Sequence, residues 1–512
     1  MFHDYVIIFN LHIVWFGLLL ILTLLAAADI IYTQRDETDR TLLWLLLLAT
    51  QPVIGFLLYI LFGRSRKDTV GRRIAFSAVE FRRKIRSRTK RKDYFSAIAE
   101  FLPDYSLFND TYKTSRTLDR LLPETMPLKG NKIELLHDGT DAYPAMIEAI
   151  RNAKQRIYLQ SFIIANDSAG ETLFHELRKK AEQDVEIRVL YDGFGSFFPS
   201  FSKLFRNSKK DLPNFQIRPF SLSNRPAQWN LQLRNHRKLL ITDSDVAFMG
   251  GINISHKNLD SDVAFMGGIN ISHKNLAHRS DRFIHDLHFK VEGPAVMELL
   301  AVFLRDWYYV TKGNDPCFHN FTPQLPEWKG DTIMRVVASG FGQLPEGSAN
   351  VFQTAAATAE DSLWIISPYF VPDAPFVKAL CMAAARGVDV RIIVPNLNNH
   401  FYVKMASRSL YSNLLSSGVR IFEREKIFVH TKAMLVDRKW AMIGSSNCDI
   451  RSFRLNLELD AVIRGEQITK ELYEFFKSEM ADSSEIFLSD VEQKNYLIRV
   501  VENICGLFAP VL

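Results

Sequence analysis

One pattern, His-x-Lys-x4-Asp, occurs twice in the 512-residue chain, and each occurrence is followed at equal distance by a small-residue turn ending in Asn. The first is His236-Arg-Lys238-Leu-Leu-Ile-Thr-Asp243 with Gly250-Gly251-Ile-Asn253. The second is His430-Thr-Lys432-Ala-Met-Leu-Val-Asp437 with Gly444-Ser445-Ser-Asn447. His to Asn spans 17 residues in both. His and Lys at i and i+2 of a strand point to one face. Apolar residues follow (Leu239 and Ile241; Met434 and Val436), so each segment reads as a buried strand ended by its Asp. Val246–Met249 and Trp440–Ile443 then read as return strands that bring the Gly and Asn back beside the His and Lys.

The surroundings repeat as well. Around the first motif, Ile133–Leu136, Arg156–Ile164 and Val185–Tyr191 read as strands, with helices over Tyr143–Ala153 and Glu171–Glu182. Before the second, Val351–Ala359 and Ala374–Ala385 read as helices, and Ser362–Pro368 and Val388–Val394 as strands. Val-Glu-Ile-Arg-Val-Leu at 185–190 has its counterpart in Val-Asp-Val-Arg-Ile-Ile at 388–393. Alternating strands and helices in two copies predict an α/β protein with two sandwich domains, residues 131–312 and 347–512, joined by a Pro-rich linker over 313–346.

Two such faces meeting at one pocket bring together two His, two Lys and two Asn, a set suited to a phosphodiester. Lysines neutralise non-bridging oxygens. Asparagine amides, Asn253 and Asn447, donate further hydrogen bonds to the phosphate. One imidazole attacks phosphorus and the other protonates the leaving alkoxide. The lysines fill the place of a divalent cation, so neither metal nor other cofactor is expected. The four cysteines (Cys317, Cys381, Cys448, Cys505) are far apart, which argues against a disulfide framework and a cysteine zinc site.

At these residues the chain resembles the phospholipase D superfamily, whose signature is this doubled motif. The resemblance implies two α/β/α sandwich domains, one active site between them and a covalent phosphohistidine. It implies His236 as nucleophile and His430 as acid and then base, an order less firmly set than the pair. It also implies a His-orienting acid for each histidine, for which Glu458 and Asp286 are the candidates. Asp243 and Asp437 belong to the catalytic motif, but their position suits bracing the loop better than touching substrate.

A closer resemblance, over nearly the whole chain, is to bacterial cardiolipin synthases. It rests on Gln51-Pro-Val-Ile-Gly-Phe-Leu-Leu-Tyr-Ile-Leu-Phe-Gly63-Arg64, on Ser367-Pro-Tyr-Phe-Val-Pro-Asp373 and on Gly444-Ser-Ser-Asn-Cys-Asp-Ile-Arg-Ser452-Phe. It implies that two phosphatidylglycerols become cardiolipin and glycerol with no nucleotide. Consistently, the chain has no G-x-x-x-x-G-K-[ST] loop and no D-G-x-x-A-R signature. Alternatives sharing the motif are a hydrolytic phospholipase D, a phosphatidyltransferase using serine or another alcohol, and a membrane protein whose site is impaired. The motif alone does not choose the lipid acceptor or the oligomeric state.

Residues 1–63 hold two apolar runs, Tyr5 to Ile31 and Thr41 to Phe62, each long enough to cross a bilayer that needs about 20 helical residues. The short charged loop between them predicts a transmembrane hairpin. A cleaved signal peptide, suggested by Ala26-Ala27-Ala28, is disfavoured because no Lys or Arg precedes the run. In the linker over 64–130, 13 Lys and Arg lie between Arg64 and Lys92 against Asp68 and Glu80. The positive-inside rule then places the rest of the chain in the cytoplasm, on the bacterial inner membrane. The basic stretch suits anionic phospholipid better than nucleic acid, because it directly follows a membrane span.

One feature departs from the family pattern. Asp243–Leu259 recurs unchanged as Asp260–Leu276, so 243–276 is a tandem duplication inside the first motif. Spacing favours Asn253 as the phosphate ligand, and chain continuity to Asp286 favours Asn270. Only one copy can occupy the slot beside the His236 strand. The expectation is reduced activity relative to a chain lacking one copy.

Overall fold

A computed structural model describes residues 2–33, 38–63, 67–86, 99–104, 112–196, 203–208, 210–220, 233–255, 284–318 and 327–508. The second duplicated segment, with Asn270, lies outside the described residues, as do Arg64, Arg66 and Arg88 to Lys92 of the basic stretch.

In the first half the strands are β1 Pro127–His137, β2 Arg156–Ser161, β3 Glu186–Asp192, β4 Phe215–Phe220, β5 Arg234–Asn235, β6 Leu239–Thr242, β7 Val246–Gly250, β8 Ile284–His285 and β9 Leu287–Glu292. In the second half they are β10 Thr332–Val337, β11 Ser362–Ile366, β12 Phe370–Val371, β13 Asp389–Pro395, β14 Arg420–Arg424, β15 Phe428–Val429, β16 Ala433–Val436, β17 Trp440–Gly444, β18 Cys448–Asp449, β19 Asn456–Leu457, β20 Asp460–Arg464 and β21 Ser483–Ile486.

The repeat becomes a near-palindromic sheet. Its 15 described strands run β21-β14-β13-β11-β16-β17-β20-β10-β1-β9-β7-β6-β2-β3-β4. Reading outward from the β10–β1 pair, each strand of one half has its counterpart in the other, and β21 is extra. Strand β1 reaches further than its apolar run because it serves both halves. Its start pairs with β10 (Pro127 with Arg335) and its remainder with β9 (Lys132 with Glu292 to His137 with Leu287).

Both faces of the sheet are covered, which is why its strands are apolar throughout rather than alternating. One face packs on the helices Ala295–Thr311 and Glu466–Ala481, forming a core that draws on both halves, with Leu239, Ile241, Ala433 and Leu435 among its members. On the other face each half has its own core. Leu240 meets the helices Asp138–Asn152 and Ser168–Ala181. Met434 and Val436 meet Gly347–Thr358 and Ala374–Ala385. Asp167 and Asp373 start two of these helices by accepting from Gly170 N and Phe376 N at 3.1 and 3.2 Å, satisfying amides that the helix leaves free.

The motif aspartates occupy the hairpin turns β6–β7 and β16–β17. Asp243 and Asp437 both have φ 51°, a left-handed conformation that Asp tolerates better than most residues. Asp243 accepts from the amides of Lys154, Gln155 and Arg156 at 2.7, 2.7 and 3.0 Å. Asp437 accepts from Asp361 and Ser362, both at 2.8 Å, and also from Glu360. Each ties its turn to the start of the adjoining strand. That end of β6 or β16 is the one away from the histidine, so neither aspartate stands among the reacting groups.

The halves are also joined by Arg237, which is fully buried. Its guanidinium donates to Asp306 at 2.6 Å in the first half, and to Gln343 Oε1, Ser339 O and Glu458 O at 2.6, 3.2 and 3.0 Å in the second. Removing one partner of a buried pair strands the other charge. Asp306→Ala is expected to cost about 3–5 kcal/mol, read as a lower unfolding temperature in detergent. A loss under about 1 kcal/mol would assign the junction to other contacts.

At the N-terminus, Phe2–Thr33 is one helix, and Val14–Tyr32 within it is long and apolar enough to cross a membrane. The second apolar run is helical but not continuous. It forms Thr38–Thr50, breaks at Gln51 (φ −137°), and resumes as Pro52–Leu58 and a π-helical turn, Tyr59–Gly63. Pro52 explains the break, since proline disfavours helical backbone at the residue before it. Ala26 and Ile30 pack on Trp44, Leu48 and Tyr59, and Tyr59 donates to Asp29 at 2.7 Å, so the two runs lie against each other.

Candidate active site

Each histidine is delivered by a short strand paired with a short strand of the opposite half. Strand β5 runs parallel to β19, and His236 N donates to Leu457 O at 2.8 Å. Strand β15 runs parallel to β8, and His430 N donates to His285 O at 2.6 Å. The next residue on each partner strand is an acid. Glu458, from the second half, therefore reaches His236 of the first, and Asp286, from the first, reaches His430 of the second. The acids are crossed between the halves.

His236 Nδ1 lies 2.9 Å from Glu458 Oε2 and 3.1 Å from Ser445 O. A carbonyl oxygen only accepts, so Nδ1 carries the proton and Nε2 keeps its lone pair. Glu458 is itself fixed, receiving Ser445 Oγ at 2.5 Å, Ser452 Oγ at 2.9 Å and Asn456 Nδ2 at 3.0 Å. His430 Nδ1 lies 2.7 Å from Asp286 Oδ2 and also 2.7 Å from Lys432 Nζ, so one ring nitrogen faces both a carboxylate and an ammonium. Lys238 Nζ donates to His236 O at 2.7 Å, and Lys432 Nζ donates to His430 O. The rings of Phe162 and Tyr369 stand edge-on to His236 and His430, with centroids 4.9 and 6.4 Å apart.

The small-residue turns have a specific purpose. A Cβ on Gly251 would collide with the Asp286 carboxylate, and one on Gly444 with Asp460. Glycine thus admits an acid to the return strand. Of the two duplicated segments, the one that occupies the slot beside β6 is the first, pairing Leu239 with Met249 and Thr242 with Val246. Asn253 is nearly buried, its Oδ1 accepts from Ile163 N at 3.2 Å, and Tyr143 Oη donates to its carbonyl at 2.7 Å. These contacts end β2 at Ser161, earlier than its apolar pattern suggested. Asn447 is buried too, and its Oδ1 has no hydrogen-bond partner.

The side chains of His236, Lys238 and Lys432 are buried and that of His430 is 12% exposed, and they act on each other across the halves. Burial drives His236 well below the usual imidazole range, and Lys238 and Lys432 push the same way. Burial and Lys432 bring His430 down to about 4, against Asp286. Burial lowers Lys432 to about 8 despite Asp286 and Glu458, and lowers Lys238 despite Glu458. The acids differ. Burial would raise Asp286, but Lys432 and His430 hold it below the usual carboxylate range. Burial pushes Glu458 up despite Lys238 and its hydrogen bonds. Among the described residues, no cluster of three or more His, Cys, Asp or Glu is arranged to hold a metal ion.

Both imidazoles are therefore held neutral, and both lysines hold their protons less tightly than a free ammonium. An anion between the lysines would restore those protons, because nearby negative charge favours the charged form. Sulfate binding at pH 8 is expected to take up protons, and its affinity to fall by up to about tenfold per pH unit per lysine above that pH. Calorimetry in two buffers of different ionisation enthalpy measures the uptake. No uptake would mean that the lysines are already charged.

Two H-x-K motifs converging on one site, on a duplicated α/β/α fold, define a phospholipase D-like protein. The phosphatidylserine synthase of Haemophilus influenzae has a similar fold: TM-score 0.55 at 16% identity, covering 78% of this chain and all of that one. Residues 146–307 and 353–480 match the family described as cardiolipin synthase, PLD-like domain, and residues 21–64 match a phospholipase D-nuclease N-terminal family. A cardiolipin synthase of Halalkalibacterium halodurans is 30% identical over 507 residues, 97% of this chain and 94% of that protein. One from a Geobacillus species is 31% identical over 487 residues, 95% and 91%. The chain belongs to the cardiolipin synthase family.

Proposed function

We propose that the protein transfers a phosphatidyl group from one phosphatidylglycerol to another, forming cardiolipin and glycerol. The observation that carries this reading is the pair of crossed acid–histidine contacts, Glu458 to His236 and Asp286 to His430, with Lys238 and Lys432 beside them. The phosphodiester of the first lipid binds between Lys238 and Lys432, with Asn253 and Asn447 as further ligands. His236 Nε2 attacks phosphorus, and the bond to the glycerol head group breaks. His430, protonated to the imidazolium once the phosphodiester is bound, gives its Nε2 proton to the departing oxygen. The second lipid's head-group hydroxyl then gives a proton to His430 and attacks phosphorus, and the P–N bond breaks. Phosphodiester replaces phosphodiester, so the reaction needs no other energy source.

The difference between the acids favours this order. Asp286, held ionised, stabilises the imidazolium that the acid role requires of His430, and bound phosphate adds to the effect. Glu458, pushed towards neutrality, supports an uncharged nucleophile at His236.

Phe2–Thr33 crosses the membrane in this reading, the second run returns, and the basic stretch keeps the catalytic halves on the cytoplasmic side of a bacterial inner membrane. The test is incubation of the purified protein with labelled phosphatidylglycerol in excess EDTA. Equal amounts of cardiolipin and glycerol are expected. Phosphatidic acid would mean a hydrolase, and a serine or other head-group adduct a different acceptor.

Deleting Asp260–Leu276 tests the duplication. With the first copy in the slot and both acid–histidine contacts closed, activity is expected to stay within about threefold, a barrier change under about 1 kcal/mol. A gain beyond about tenfold would restore the expectation that the repeat impairs the site.

A further inference from the structure

The helix Tyr496–Leu507 is built inside out. Its one buried side chain is Glu502, which Lys494 meets at 2.7 Å, and Gly506 sits against Ser409. Its outward face carries Leu497, Ile498, Val501, Ile504 and Leu507, with Leu497 68% and Leu507 71% exposed. Spacing of i, i+4 and i+7 makes this one apolar stripe. A soluble helix buries such a stripe, and a contiguous exposed one marks a surface that something apolar covers.

The stripe does not stand alone. The helix packs on Phe401–Arg408, whose Phe401 is 65% exposed beside the half-exposed Tyr402. From there a chain of rings leads to the catalytic histidine. Tyr402 lies 5.4 Å from His400, His400 5.9 Å from Tyr369, and Tyr369 6.4 Å from His430.

We propose that Tyr496–Leu507, with Phe401 and Tyr402, docks in the surface of the lipid bilayer and holds the rim of the site at the head-group level. The proposal rests on the lipid substrate assigned above. Its occupant follows from continuity: whatever covers the stripe also abuts the way to His430, and a bilayer both covers it and supplies the substrate. A helix lying in the interface buries its apolar face among acyl chains and turns its polar face away from them.

Depth-dependent quenching on the full chain in phosphatidylglycerol-containing vesicles tests this. Cys317, Cys381 and Cys448 are buried, so a Cys505→Ala background accepts single labelling cysteines. Leu497→Cys and Ile504→Cys carry an environment-sensitive fluorophore. Asp361→Cys, at the end of β11 away from His430, is the control. Labels at 497 and 504 should be quenched several-fold more by spin-labelled lipid than the control. Equal quenching, access to aqueous iodide, or energy transfer between labels on two copies of the chain would each overturn the proposal. A second arm uses Leu497→Ser/Val501→Ser/Ile504→Ser. Transfer from vesicle lipid should fall about five- to tenfold through a raised apparent KM, with transfer from monomeric short-chain phosphatidylglycerol unchanged. Equal loss on both would make the helix a part of the fold only. If no variant acts on phosphatidylglycerol, the substrate assignment fails, and the quenching result still decides the docking.

Discussion

His236→Ala is expected to remove all measurable transfer, a loss of about 10⁴-fold or more, because no other group can form the P–N bond. His430→Ala should cost about 10²–10⁴-fold, the usual contribution of a proton donor. The two differ most sharply with an activated diester whose nitrophenol leaving group needs no proton. His430→Ala should then release one equivalent of nitrophenol per protein and stall, since the phosphatidyl group on His236 waits for a base to activate the acceptor. His236→Ala should give no burst. The opposite pattern would exchange the two roles, and a burst from neither would remove the covalent step. Unchanged transfer in both variants would leave the chain without catalytic use of its motifs.

What could be read from sequence was whatever repeats locally. The palindromic sheet follows from two matched series of apolar strands. Asn253 and Asn270 stay open in the sequence, where equal spacing points to one and chain continuity to the other, and the first copy lies in the slot beside β6. The break before Pro52 was visible in the residue itself, although the apolar run around it read as one span. The partnership of each acid was not legible. Asp286 and Glu458 are recognisable, but which histidine each serves depends on β5 meeting β19 and β8 meeting β15. Those contacts join residues more than 140 positions apart, as with Asp286 and His430. Nothing in local periodicity encodes them. The inverted helix fails for a related reason. The spacing of Leu497, Val501 and Ile504 has the period of a helix, and only packing shows that Glu502 is the side turned inward.

The crossing makes a sharper prediction than the presence of two acids. If each half supplied its own acid, Asp286→Asn would injure the nucleophile of its half, and Glu458→Gln the proton donor. The contacts of 2.7 Å from Asp286 to His430 and 2.9 Å from Glu458 to His236 predict the reverse. Asp286→Asn should behave as His430→Ala does: a fast nitrophenol burst, then turnover slowed about 10²–10⁴-fold, the scale of losing the acid that orients a catalytic histidine. Its pH profile should shift as well, because the imidazolium loses the carboxylate that stabilises it, and the limb reporting the acid should move to lower pH. Glu458→Gln should slow the burst itself and leave the release of the phosphatidyl group to an alcohol comparatively fast. A loss of fold alone would lower burst amplitude in both variants without separating the two phases. Separation along the crossed pairs would also mean that neither half is an enzyme by itself, since each holds a histidine whose acid comes from the other half.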